Sequence, residues 1–198
     1  MNIETSVNIE KVIVNRRSYP KLVSPAPDAA VVARMITAAI HAPDHGRVQP
    51  WRFIVIEGDG LDALGELFVE AETIKGQANP SRLNTLRQQP HRAPMIVTVV
   101  ANIEKDHAIP PVERQVAVGC AVQNLILLAE AAGFGTYWRT GPMAYDAVVK
   151  RGLGLSESEE IIAFVYVGTA AGEVPKRSIQ SVTQVTQRWS GGKPQAWV

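Results

Sequence analysis

Ala42–Phe53, APDHGRVQPWRF, decides how this chain is read. It joins a regular amphipathic segment to a plain apolar one. Upstream, Asp28 reads as an N-cap, and Val31, Val32, Met35, Ile36, Ala39 and Ile40 recur at helical spacing. His41 closes that helix just before Pro43. Downstream, Trp51–Glu57 (WRFIVIE) reads as a strand, bounded by Gly58-Asp59-Gly60. Pro43 and Pro50 end helix and loop by fixing φ and removing backbone donors. Asp44, His45, Arg47 and Gln49 are thus polar groups strung between two buried elements. Such a loop is either a solvated turn or the place where a rigid scaffold presents functional side chains.

The same alternation of helix and strand continues outward. On the N-terminal side, Asn8 caps a short helix whose Ile9, Val12 and Ile13 share a face, and Lys21–Pro27 reads as a connector. On the C-terminal side, Leu61, Leu64, Leu67, Phe68 and Ala71 have helical spacing. Gly76–Pro94 is polar and proline-punctuated, with a short helix around Ser81–Gln89, and reads as a mobile excursion or lid. Met95–Ala101 is a branched, apolar strand suited to a buried position. Pro110-Pro111 opens the longest helix, which Gly133 stops. From Val116 to Ala131 that helix is apolar or small on nearly every face, as befits a core helix or one packed against a partner subunit. Cys120 on it reads as a small hydrophobe rather than a nucleophile. Phe134–Thr140 and Ile161–Gly168 supply two further strands, with a helix over Ala144–Leu153 between them. From Ala170 on the composition turns to Ser, Thr, Gln, Gly and Pro, yet holds Trp189 and Trp197. Such a tail cannot build a core alone. It is expected to lie as an arm on the body or on a partner.

The totals narrow the function classes. A chain of 198 residues suits one domain and can bury roughly 70% of its unfolded surface. A net charge of +1, with scattered basic residues, argues against a nucleic-acid or membrane-surface protein. One cysteine excludes an internal disulfide and a paired-cysteine metal site, and is compatible with a reducing cytosol. MNIETSVNIEK carries acids and no apolar core, so it does not read as a signal peptide. No run reaches the ~18 apolar residues of a membrane span. His41 and His45 would be helical metal partners only if Pro43 did not lie between them. The expectation is therefore a cytoplasmic protein with no nucleic acid, membrane or metal.

Three polar stations remain, each at the end of a regular element: Arg16-Arg17-Ser18, the Ala42–Trp51 loop, and Trp138-Arg139-Thr140. Arginine offers a planar fork suited to phosphate, though a solvated helix end or a snorkelling strand-end arginine has the same sequence. Together the stations hold cationic forks, hydroxyls, an amide and indoles, and no obvious proton-transfer pair. That inventory suits a phosphorylated aromatic cofactor that carries the hard chemistry itself.

Here the chain resembles the nitroreductase family of flavin enzymes, in its small, minimal branch. The resemblance rests on RRS after a short N-terminal helix, APDHGRVQPWRFIVIEG, the helix VGCAVQNLILLAEAAGFG and the WRTG that follows. It covers about Val12 to Gly168, in the family's order. It implies an α+β fold: a mostly antiparallel four- to five-stranded sheet flanked by helices, in an intertwined homodimer. On that reading residues 1–170 form an FMN-binding domain and 171–198 an extended arm that packs on the dimer. The resemblance carries cofactor contacts onto Arg16, Arg17, Ser18, His41, His45, Gln49, Trp138, Arg139 and Thr140, with Pro43 and Asp44 in the same loop. The loop is expected to reach the flavin from the opposite subunit. His41 stands where a relative has arginine, and neutral imidazole is a poorer phosphate partner.

The reaction implied is ping-pong hydride transfer, from NADH or NADPH through FMN to a nitroaromatic- or quinone-like acceptor. No side chain is assigned as catalytic, because solvent can supply the protons. Two other readings share the same residues: a flavin-sequestering protein with little turnover, and an FMN-dependent oxidative enzyme of the same fold.

Overall fold

The computed structural model describes residues 8–76 and 79–197. The stretch before Asn8, part of the segment read above for a leader, lies outside them, as does Val198 at the end of the arm. Among the described residues the elements run α1 (Ile9–Asn15), β1 (Leu22–Val23), α2 (Ala29–Ala39), β2 (Trp51–Glu57), α3 (Asp59–Ile74), α4 (Pro80–Gln88), β3 (Met95–Asn102), α5 (Pro111–Ala131), β4 (Gly135–Arg139), α6 (Ala147–Gly152) and β5 (Glu159–Ala170). A short helix α7 (Val182–Val185) and a hairpin of β6 (Gln187–Arg188) with β7 (Gln195–Ala196) follow.

One antiparallel five-stranded sheet organises the molecule. β3 lies between β2 and β5, and β1 and β4 also pair with β5. Strand alternation gives β3 two apolar faces. Val97, Val99 and Ala101 pack with Val118, Val122 and Leu125 of α5 and Met35 of α2. Ile96 and Val100 pack with Leu64 and Phe68 of α3, and Phe68 meets Phe164 of β5 edge to face at 5.8 Å. A sheet buried on both faces needs a continuous apolar strand at its centre, and MIVTVVA is one. The α+β class, the antiparallel sheet and the flanking helices are as the family resemblance implied.

The caps are local and legible. Asn8 accepts from Lys11 N–H at 3.0 Å, and Asp28 from Val31 N–H at 2.8 Å. Each side-chain oxygen satisfies one of the donors that a helix start leaves open.

Two expectations need correction. The Lys21–Pro27 connector contains the two-residue strand β1, too short to show periodicity. The Gly76–Pro94 excursion is not a lid. Its helix α4 lies against α3, with Leu86 fully buried and Arg82 paired to Glu72 at 2.9 Å. Residues 77–78 of that excursion are outside the described set. The arm's tryptophans stay largely open among the described residues, Trp189 70% exposed and Trp197 46%.

Candidate functional site

The Ala42–Phe53 loop is a built object. Its first turn is a 3₁₀ helix over His45–Arg47. Gly46, Arg47 and Gln49 all take positive φ, at 74°, 53° and 51°. Arginine and glutamine rarely adopt that conformation, so the surroundings must enforce it. Asp44 does much of this: its Oδ2 accepts the backbone N–H of Gln49 at 2.7 Å. His45 is held from the other side, through Nδ1, by the Glu113 carboxylate in the first turn of α5. Pro43, Asp44 and His45 line an apolar groove with Val112, Val116, Ala117 and Cys120 of α5. Cys120 is therefore half-exposed at a groove wall rather than sealed in the core.

The Arg16-Arg17-Ser18 station lies at the far end of the same helix. Arg17 Nη1 donates to the carbonyls of Val14, Asn15 and Arg16 at 2.8–3.0 Å, closing the end of α1. The Nε atoms of both Arg16 and Arg17 are buried and have no acceptor. Ser18 sits beside Thr136 of β4, and Tyr19 N–H donates to the Thr136 carbonyl at 3.0 Å. The Tyr19 hydroxyl donates to Glu130 near the C-terminus of α5 at 3.4 Å. Burial pushes the Glu130 carboxyl above its ordinary range; the Tyr19 hydrogen bond and the charges of Arg16 and Arg17 pull the other way without cancelling it. Burial, with Glu130 adding to it, raises the Tyr19 phenol as well.

The third station splits. Trp138 and Arg139 are neighbours on β4, so they face opposite sides of the sheet. Trp138 lines a groove with Val112, Val116, Gly119 and Tyr145, on the side of α5. Its indole N–H donates to the Ile162 carbonyl at 3.2 Å, where the β3–β5 register slips past Ile162. That bulge exposes a backbone acceptor, and the indole uses it. Arg139 instead lies over the Tyr137 ring, 4.1 Å from its centroid, with Tyr166 at 5.8 Å. Thr140 is exposed just beyond.

His41 is spent locally: its Nδ1 donates to the Thr37 carbonyl at 2.7 Å. It lines a further apolar groove between α1, α2 and α5, with Ile9, Val12, Arg34 and Leu128.

The nine predicted residues thus form no single cluster in one chain. His45 and Trp138 flank the N-terminal half of α5, while Arg16, Arg17 and Ser18 stand at its C-terminal end. At about 1.5 Å of rise per residue, roughly 25 Å of helix separates Glu113 from Glu130. Among the described residues, no group of three or more His, Cys, Asp or Glu side chains gathers as a metal site would require. The sequence reading missed Glu113, Glu130 and Arg114. The first two are the only acids on a mostly apolar helix, a signal that was there to use. Arg114 is buried and donates to the Asn102 carbonyl at 3.3 Å and to that of Glu104, bracing the loop before α5.

A phosphorylated flavin fits these residues on one observation in particular: two adjacent, buried guanidinium donors lack an acceptor, and a phosphate or ring carbonyl is one.

Comparison with known proteins identifies the family and the fold. The model of the Nitroreductase family matches residues 13–169. The chain is 37% identical over 159 residues to "Putative NAD(P)H nitroreductase YdjA" of Escherichia coli (strain K12), covering 80% of this chain and 86% of that one. Among solved structures, the nitroreductase-like family protein from Bacillus cereus superposes with a TM-score of 0.85 at 23% identity, over 96% of this chain and 100% of that one. The FMN and NADPH-dependent nitroreductase NfnB from Sphigopyxis sp. strain HMH gives 0.70 at 18% identity, over 94% and 100%. This chain belongs to the nitroreductase family.

Proposed function

We propose that this chain is an FMN-dependent NAD(P)H oxidoreductase that reduces nitroaromatic- or quinone-like acceptors and works as a cytoplasmic homodimer. The observation that carries the reading is the pair of buried Arg16 and Arg17 Nε donors with no acceptor. FMN, when bound, supplies the two-electron chemistry that passes a hydride from NADH or NADPH to the second substrate by a ping-pong sequence in one pocket.

The chain's own residues bind and orient. Arg16, Arg17 and Ser18 offer donors to a phosphate, ribityl chain or ring carbonyl, and a cation at the ring edge favours negative charge there. Trp138, pinned by its bond to Ile162, offers a fixed indole face; Arg139 offers its cation on the other side of β4, over Tyr137, and Thr140 a hydroxyl just beyond the strand. His45 and Gln49 belong to the loop at the other end of α5, whereas His41 lies on the arginines' side, in the groove between α1, α2 and the C-terminal part of α5. One flavin touches both ends of α5 only if a second copy brings its His45 loop to the first copy's arginines. The exposed face of α5 favours such an arrangement: Val112 and Val116 are each 60% exposed. Residues 1–170 serve as the flavin-binding body and 171–198 as an arm that packs on the partner. Solvent supplies the protons.

The test is a visible spectrum of the purified protein after removal of excess FMN, followed by anaerobic additions of NADH and NADPH. A bound flavin that bleaches supports the reductase and identifies the donor for acceptor screens. A bound flavin that stays oxidised supports sequestration or an oxidative enzyme. A protein that takes up no flavin on reconstitution overturns the proposal.

A further inference from the structure

The Glu113–His45 pair lies across the groove between the loop and α5, and it is open to water. The His45 side chain is 66% exposed and that of Glu113 43%. An exposed pair of this kind contributes little to stability. What it does fix is geometry. A carboxylate on Nδ1 selects the tautomer that carries its proton there and leaves Nε2 free. The neighbouring carboxylate has a different partner: Asp44 Oδ2 accepts the Gln49 N–H, and His45 Nδ1 is held by Glu113. The backbone enforces the same placement. Gly46, next to His45, has φ of 74° and packs so closely that a Cβ there would stand 3.1 Å from Ile109. Loop, glycine and carboxylate all hold one imidazole at the rim of an apolar groove lined by Val112, Val116, Ala117 and Cys120.

We propose that Glu113 is the positioning residue for His45, fixing its Nδ1–H tautomer and aiming Nε2 outward as the hydrogen-bonding atom offered to the flavin or acceptor held with a second copy. The inference rests on the proposed flavin function for its consequence, but its first half concerns the chain alone. Glu113 acts only through His45.

Two measurements test it. In the flavin-free full-length protein, long-range proton–nitrogen correlation at a pH where the ring is neutral reports which ring nitrogen carries the proton. Wild type and Glu113→Gln, whose amide oxygen still accepts, should show the Nδ1–H form. Glu113→Ala should shift to the Nε2–H form usual for a free imidazole. Wild type in the Nε2–H form, or no change in Glu113→Ala, overturns the proposal. In the second measurement, FMN affinity is read by quenching of free-flavin fluorescence. Glu113→Ala should weaken binding about three- to tenfold, the range of one neutral hydrogen bond. In a His45→Ala background the same change should have no further effect. Equal, additive losses in both backgrounds overturn the coupling. Failure of the wild-type protein to bind FMN overturns the proposed function instead and leaves the tautomer result standing.

Discussion

Asp44 Oδ2 accepts the backbone N–H of Gln49 at 2.7 Å, and so a carboxylate closes the loop whose sequence decides the fold. Gln49 is held at a φ of 51°, and this bond ties its backbone N–H to the loop. Asp44→Ala removes the acceptor and is expected to cost about 1 kcal/mol of unfolding free energy, the scale of a single net hydrogen bond. Asp44→Asn keeps an acceptor and should cost less than half as much. Urea unfolding of the two variants against wild type decides it. Equal stability of Asp44→Ala and wild type would mean that the loop is held by other contacts.

Gly46 carries a second, independent constraint on the same loop. Its φ of 74° strains any L side chain, and a methyl there would press on the Ile109 side chain at 3.1 Å. Gly46→Ala is therefore expected to destabilise the protein by about 1–2 kcal/mol. Ile109→Val in the same background should recover part of the loss by giving the methyl room. Paired thermal melts check this; no recovery would assign the whole cost to backbone strain.

How much of this was legible beforehand follows from the range of each signal. α5 was readable in full, because a proline pair opens it, a glycine closes it and no proline interrupts the apolar run between. The branched β3 strand was equally plain. β1 was not, since two residues carry no period and their pairing with Thr169 and Ala170 is wholly non-local. The three polar stations were found as element ends, yet their separation along α5 belongs to tertiary structure. That Trp138 and Arg139 face opposite sides of β4 was deducible from strand alternation. Treating them as one station overlooked it. The Glu113–His45 pair joins residues 68 apart in sequence, and only the fold brings them together.

Glu130 makes stability depend on pH with a definite sign. Burial raises its folded-state pKa above the ordinary value, opposed only in part by Tyr19, Arg16 and Arg17. The folded protein thus holds this proton more tightly than the unfolded chain. The favourable contribution is present in acid, below the ordinary carboxyl pKa, and is lost as pH rises through the raised folded value. At neutral pH the charged form is a net burden. Glu130→Gln should then melt at a higher temperature than wild type at neutral pH, with the gain shrinking toward zero in acid. A lower melting temperature at neutral pH would show that the carboxylate's attraction to the two arginines outweighs its burial.

The C-terminal arm offers the most direct test of assembly. Ile179, Val182, Val185, Trp189 and Trp197 are 67%, 63%, 62%, 70% and 46% exposed. Trp189 donates its indole N–H to the Gly192 carbonyl at 3.0 Å, which orders the hairpin without covering the ring. Apolar side chains so concentrated in one segment are characteristic of a surface that another chain covers. The body keeps its own two-faced core without them, so truncation before Ser181 should leave the fold intact. If the proposed homodimer forms, the truncated chain is expected to populate monomer at concentrations where the full-length chain stays paired, measured by light scattering across a dilution series. Tryptophan emission supplies the second arm: in the full-length protein it should move to longer wavelength as dilution separates the copies. A truncated chain that stays dimeric through the same dilutions would assign the dimer to the exposed face of α5 alone, and would leave the arm's tryptophans without a structural role in assembly.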